Sequence, residues 1–197
     1  MIEVEKKFQP TEEQLNILLA DSKFIEKKEI SDTYWDYPDY RLLKESTRFR
    51  LRNGTFELKI HSKLGGDHEF DNEEKIKNFF KTDLDLKSFI DKNLIPLMEY
   101  QTERKKYRNG IFQIDVDRLT SKKFLDFVFD ICEIELMVEE ENEIGEAVKK
   151  ILKFATKYNL EKYKISKKEV ALRKMSPGVY EKVFENSSQD DEYNEDK

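Results

Sequence analysis

Ile2-Glu3-Val4-Glu5-Lys6-Lys7-Phe8 decides how the rest of the chain is read. Side chains on a strand alternate faces. Ile2, Val4, Lys6 and Phe8 therefore share one, mostly apolar face, and Glu3, Glu5 and Lys7 share the other. Two acids and a base on one strand face either meet water or line a cavity that takes both signs of charge. The segments farther along favour the cavity.

The next clear strands flank Asn53-Gly54, the strongest short hairpin signal. A two-residue turn there sets Arg52 opposite Thr55, Arg50 opposite Glu57 and Arg48 opposite Lys59. Arg48, Arg50, Arg52, Glu57 and Lys59 fall on one face, and Phe49, Leu51, Phe56 and Leu58 on the other. Asn109-Gly110 predicts a second hairpin, with Arg108 opposite Ile111, Lys106 opposite Gln113, Arg104 opposite Asp115 and Thr102 opposite Asp117. Residues 129–138 alternate again, Glu133 and Glu135 against Cys132, Ile134 and Leu136. Residues 23–36 and 68–70 read as further strands, with a glycine-containing loop at 63–67.

Helices are expected between them. Thr11-Glu12-Glu13-Gln14 fits a capping box for a helix running to about 21, and Ser166 caps another over 167–174. Residues 71–81, 84–92, 141–158 and 177–184 read as helices, and 40–44 as a single turn. The helix at 141–158 carries Ile144, Val148, Ile151, Leu152 and Ala155 as its apolar stripe.

Composition sets the limits. The 197 residues include 40% charged side chains, but 14 Phe and 9 Tyr leave enough to bury a core. Cys132 is the single cysteine, which excludes an internal disulfide and suits a reducing compartment. No stretch reaches the length of a membrane span, and no apolar leader opens the chain. The net charge is −6, with Asp190, Asp191, Glu192, Glu195 and Asp196 crowded into the last residues. A nucleic-acid surface would show the opposite excess. The expectation is a cytoplasmic monomer, without nucleic-acid or membrane partners. One domain would span 1–184, followed by an acidic, disordered tail at 185–197.

The charged strand faces carry like charges in clusters: Glu3 with Glu5, Arg50 with Arg52, Asp115 with Asp117, Glu133 with Glu135. Like charges side by side destabilise an exposed sheet, and the apolar stripes of the helices must pack on something. An α+β fold satisfies both demands: a closed antiparallel β-barrel, or tunnel, with a polar, charged lumen and helices packed outside. Arginines in such a lumen suit phosphate oxygens. Close carboxylates suit a hard cation such as Mg²⁺ or Mn²⁺. A metal–polyphosphate complex satisfies both sets.

Glu3-x-Glu5-x-Lys7 resembles the signature of the CYTH, or triphosphate tunnel metalloenzyme, superfamily. The order of later pieces strengthens the likeness: Arg50-x-Arg52, Glu57-Leu58-Lys59, a later arginine strand, Asp115-x-Asp117, Glu133-x-Glu135 and a late lysine. Within it, residues 2–8, 32–39 and 56–59 resemble thiamine triphosphatase. The resemblance implies phosphate-binding roles for Lys7, Arg50, Arg52, Lys59, Arg104 and Lys167, with Lys164 and Lys168 close to the last. It implies Glu3, Glu5, Asp115, Asp117, Glu133 and Glu135 as metal ligands, for Mg²⁺ or else Mn²⁺. It further implies a water activated by one of Glu5, Glu133 or Glu135, and hydrolysis of thiamine triphosphate, a small-molecule triphosphate, to the diphosphate and phosphate.

The chain departs from that pattern in places. The acid expected after the Lys59 loop falls on Asn72, with Glu69 and Glu73 nearby. Vertebrate members have Trp where this chain has Arg48, and Trp35, the only tryptophan, sits on another strand. An inorganic triphosphatase using the same residues, or a non-catalytic polyphosphate-binding module, therefore stands beside the first reading. No segment signals a nucleotide cyclase. His61 and His68 are expected in solvent, and Cys132 in apolar packing.

Overall fold

A computed structural model describes residues 1–61 and 66–185. Most of the expected glycine loop, and the tail from 186 on, lie outside them. The elements in chain order are β1 (Ile2–Phe8), α1 (Glu12–Ala20), β2 (Lys23–Asp36), α2 (Arg41–Lys44), β3 (Thr47–Arg52), β4 (Thr55–His61), β5 (Asp67–Phe70), α3 (Glu73–Phe80), α4 (Leu86–Asn93), β6 (Ile95–Asn109), β7 (Phe112–Thr120), β8 (Val128–Val138), α5 (Ile144–Lys157), α6 (Lys167–Met175) and α7 (Pro177–Tyr180).

The strands close an antiparallel barrel in the order β1-β5-β4-β3-β2-β6-β7-β8. The apolar strand faces point outward and are covered. α5 lies over β1, β7 and β8, where Val4, Ile114, Ile134 and Ile151 are fully buried. α3 and α4 cover β3 and β4 through Phe49, Leu58, Ile76 and Phe89. α6 and α7 pack Ala171, Leu172 and Tyr180 against Leu97, Leu119 and Ile131. The buried Val, Leu, Ile and Phe side chains among these contribute ~1.5–3 kcal/mol each. The core is thus a shell around the barrel, and the lumen is left to polar groups.

Local sequence fixes the helix ends as expected. Thr11 and Ser166 form capping boxes with Gln14 and Glu169. Asn72 caps α3 through its side chain, so it does not take the place of a tunnel acid.

The first hairpin has the expected register, with Asn53 (φ 47°) and Gly54 (φ 89°) both left-handed. The second is displaced by two residues: Arg104 pairs with Asp117, Lys106 with Asp115, and Asn109 with Phe112. Its turn is Gly110-Ile111, where Gly110 takes φ 58°. Asn109 is held at the strand end, because its amide donates to the Asp21 carbonyl (3.1 Å), Ser22 Oγ (3.3 Å) and the Tyr158 hydroxyl (3.1 Å). A slip of two keeps every side chain on its expected face.

The ring is unevenly sewn. β1 pairs with β8 along its whole length, from Ile2↔Val138 to Phe8↔Cys132. Among the described residues it pairs with β5 only at Glu3↔Asp67. Gly66 makes that approach possible: a Cβ there would sit 2.6 Å from Ile2 Cγ2 and 3.0 Å from Ile144 Cδ1.

Candidate active site

The lumen is built from the charged face of each strand. On one wall, β3 presents Arg48, Arg50 and Arg52 in alternation, and β4 adds Lys59. Burial forces each to find an acid, because an unpaired buried charge is costly. Arg52 grips Asp32 through two bonds of 2.8 Å. Arg50 donates to Glu57 at 2.8 Å and to the Tyr34 hydroxyl at 3.2 Å. Arg48 reaches Asp67 at 2.9 Å. Lys59 bonds Glu3, and lies 3.0 Å from Asp67 and 2.9 Å from Glu69. Although burial opposes its charge, Glu5 and Glu3 raise the Lys59 pKa further above that of a free lysine.

The other wall is acidic. β7, β8 and β1 are consecutive in the ring and bring Asp115, Asp117, Glu133, Glu135, Glu3 and Glu5 together. β8 stands four strands from β3 in either direction, so Glu133 and Glu135 face the arginines across the tunnel. Arg104 crosses to this wall from β6, with two bonds of 2.7 Å to Asp117 and one of 3.2 Å to Glu133. Lys167, on the first turn of α6, enters from the barrel's end and bonds Asp117 at 2.7 Å and also Glu133. Lys7 pairs with Glu5 and lies 3.8 Å from Glu133.

The carboxylates are not equivalent. Burial works against ionisation of Asp117, but Lys167 and Arg104 hold its pKa at about 2. Burial also opposes ionisation of Glu5, yet Lys7, Lys59 and Lys167 pull it well below the usual range. Glu135 goes the other way: burial, then Glu3, Asp115 and Glu133, push it well above that range. Burial raises Glu3 and Asp115 as well. Asp115 is wholly buried; it contacts Arg104 and lies 3.7 Å from Lys106, yet no well-directed hydrogen bond reaches either oxygen.

Among the described residues two carboxylate triads have ligand atoms within 4.8 Å of one another: Glu3, Glu5 and Asp67; and Glu5, Glu133 and Glu135. Such oxygen-only sets fit a hard divalent cation. Glu5 belongs to both. The enclosed space measures about 180 Å³ and is bordered by nine lysine and arginine side chains against seven carboxylates. It has room for a small polyanion and several waters.

All of the expected site residues except Asp115 border this space; Asp115 lies behind Arg104, in the wall. Several further residues escape the sequence reading. Asp32 and Asp67 are buried partners of Arg52 and Arg48. Tyr34 and Tyr100 stack and share a 2.9 Å hydroxyl contact at the lumen. Lys106 lines the tunnel too, and so does Lys168, expected only as a neighbour of Lys167. The place expected for an acid after the Lys59 loop is filled by Asp67 and Glu69, which alternate on β5. His61 is 45% exposed but is not merely solvated, because its Nδ1 lies 2.7 Å from Asp67. His68, 36% exposed, meets Glu141 at 3.2 Å. Trp35 packs in the outer shell against Phe49 and Phe56, away from the lumen. Cys132 is buried on the apolar face, where burial raises its thiol pKa.

A family model described as the CYTH domain matches residues 1–168. No curated protein sequence matches the chain. Solved structures with the same fold include the PH1819 protein of Pyrococcus horikoshii OT3, with 23% identity, a TM-score of 0.66, and coverage of 87% of this chain and 99% of that one. A presumed adenylate cyclase from Vibrio parahaemolyticus shows 17% identity and a TM-score of 0.58, over 86% and 97%. A presumed adenylyl cyclase from Hippeastrum, described as having a dominant triphosphatase activity, shows 18% identity and a TM-score of 0.53, over 86% and 93%. At these identities the likeness is one of fold.

Proposed function

The chain belongs to the CYTH domain family, and from that premise we propose that it is a metal-dependent hydrolase of a triphosphate. One observation carries this reading: an arginine wall and a carboxylate wall face each other across a space the size of a short phosphate chain. Arg50, Arg52, Lys59, Arg104, Lys7 and Lys167 would exchange their present acid partners for phosphate oxygens. Arg52 suits a bidentate grip, since it already makes one with Asp32. Glu3, Glu5, Glu133 and Glu135, with Asp67, would hold Mg²⁺, and Asp115 and Asp117 would support them from β7. The cation supplies Lewis-acid stabilisation of charge at the transferring phosphoryl group. One of Glu5, Glu133 or Glu135 takes the proton of the attacking water. Tyr34, whose hydroxyl accepts from Arg50, orients that guanidinium for the oxygens it holds.

Thiamine triphosphate is the substrate that the sequence resemblance supports. A second reading, inorganic tripolyphosphate, is favoured by two placements. Arg48 enters the tunnel wall paired with Asp67 where an aromatic would stack, and Trp35 is turned to the outer shell. Phosphate release with Mg²⁺ from thiamine triphosphate, tripolyphosphate and ATP, measured side by side, tests both. A preference for thiamine triphosphate supports the first and one for tripolyphosphate the second. Cyclic product from ATP, or tight binding without release from any of the three, overturns hydrolysis.

A further inference from the structure

A second cavity, of about 360 Å³, lies outside the tunnel against β1, the start of β3 and the segment leading into α6. The two spaces share part of a wall, where Lys7, Arg48 and Lys168 border both. Six lysine and arginine side chains face three carboxylates in this outer space. Four of those bases have partners: Lys7 pairs with Glu5, Arg48 with Asp67 at 2.9 Å, and Lys6 and Lys162 are engaged as well.

Lys168 differs. Among the described residues its ammonium makes no hydrogen bond or ion pair, and its recorded contact is the Phe184 ring at 5.8 Å. Burial, then the charge of Arg48, lowers its pKa to about 8. Lys164, on the exposed side of the same cavity, also has no acid partner among the described residues. Glu169 and Asp67 act on Lys168 from a distance but neither pairs with it, so a buried cation beside Arg48 is left with room for an anion against it. Ser166, at the start of α6, lines the same space, and the positive end of that helix adds to its field.

We propose that this vestibule is a second anion site, which binds orthophosphate and receives the terminal phosphate released in the tunnel. The proposal rests on the triphosphatase reading for the source of the phosphate, but not for the site itself. Orthophosphate suits the space because it is small and doubly charged near neutrality. It is also formed on the far side of a wall made of the same side chains.

The test uses the full chain without metal, in chelator, so that no turnover occurs. Orthophosphate is titrated by ³¹P NMR, alone and after one equivalent of tripolyphosphate. The variant is Lys164→Glu, which borders the vestibule and not the tunnel. The expected result is orthophosphate binding that changes less than threefold when tripolyphosphate is present. Lys164→Glu should weaken it at least fivefold and leave the tripolyphosphate affinity within twofold. Displacement of orthophosphate by one equivalent of tripolyphosphate, or indifference to Lys164→Glu, overturns the second site. Failure of tripolyphosphate to bind at all overturns the tunnel reading instead, and the orthophosphate arm still decides the vestibule.

Discussion

Glu135 shows how a single side chain is strained by the company it keeps. Its folded pKa is raised, by burial first and then by Glu3, Asp115 and Glu133. The folded state therefore keeps a proton that the unfolded chain releases near pH ~4. Stability from this group is fully present below that pH and declines as pH rises toward the folded value. Glu135→Gln should remove the decline and raise the metal-free Tm at pH 7.5 by roughly 3 °C or more. Saturating Mg²⁺ should do the same to the wild type, and calorimetry with and without chelator checks both. At the opposite wall, Arg52→Ala should lower turnover by ~100–1000-fold, as loss of an electrostatic partner of the transition state does. Glu5→Gln should lower it at least as far, since Glu5 belongs to both carboxylate triads. Circular dichroism should show both variants folded. The pairs Glu3/Glu5, Arg50/Arg52, Asp115/Asp117 and Glu133/Glu135 were legible in the sequence because repetition at spacing two marks a charged strand face. Asp32 and Asp67 were not: Asp32 is a lone acid whose use only Arg52 on the neighbouring strand shows, and Asp67 falls at the end of the expected glycine loop.

Among the elements, α6 is the one that couples the lumen to its surroundings. It sends Lys167 to Asp117 and Glu133, and places Lys168 where tunnel and vestibule meet. Lys168 has a folded pKa lowered to about 8. A bound polyanion would draw the proton back, so tripolyphosphate affinity should fall as pH rises through 8. Calorimetric titration from pH 7 to 9 measures this, and Lys168→Met should flatten the dependence by severalfold. The β6–β7 hairpin shows where element-level reading stops. Asn-Gly in both hairpins predicts the same turn, and β3–β4 obeys. In β6–β7 the amide of Asn109 is engaged by α1's end and by Tyr158, so Gly110-Ile111 becomes the turn. Those contacts come from residues far away in sequence, which no local pattern contains. Faces survived the slip because it was even, and so Arg104, Asp115 and Asp117 kept the face expected of them.

For the molecule as a whole, the shell-like core explains why a lumen full of charge is tolerated. Stability comes from the outside of the barrel, where α5 buries Ile151 against β1 and β8. Ile151→Ala should cost ~2–5 kcal/mol, read as a shift in urea midpoint. Substitution at Gly66 tests the seam between β1 and β5. Gly66→Ala should cost about 1–3 kcal/mol by pressing on Ile2 and Ile144, and should weaken tripolyphosphate binding, since Glu3, Asp67 and Lys59 meet at that seam. The closed ring itself was legible from the alternation of faces and the number of helices seeking cover. Its uneven stitching was not, because the lengths of strand contacts depend on tilt and on the approach that Gly66 allows. That stitching has a consequence for synthesis. β1 emerges first, yet its long partner β8 ends at Val138, and its bond to β5 is a single pair. The ring cannot be completed by a nascent chain until β8 has been translated. Contacts so distant in sequence put the last step of folding in the slow, millisecond-to-second regime. Until then the first strand must wait, and its four charged side chains keep it soluble while it does.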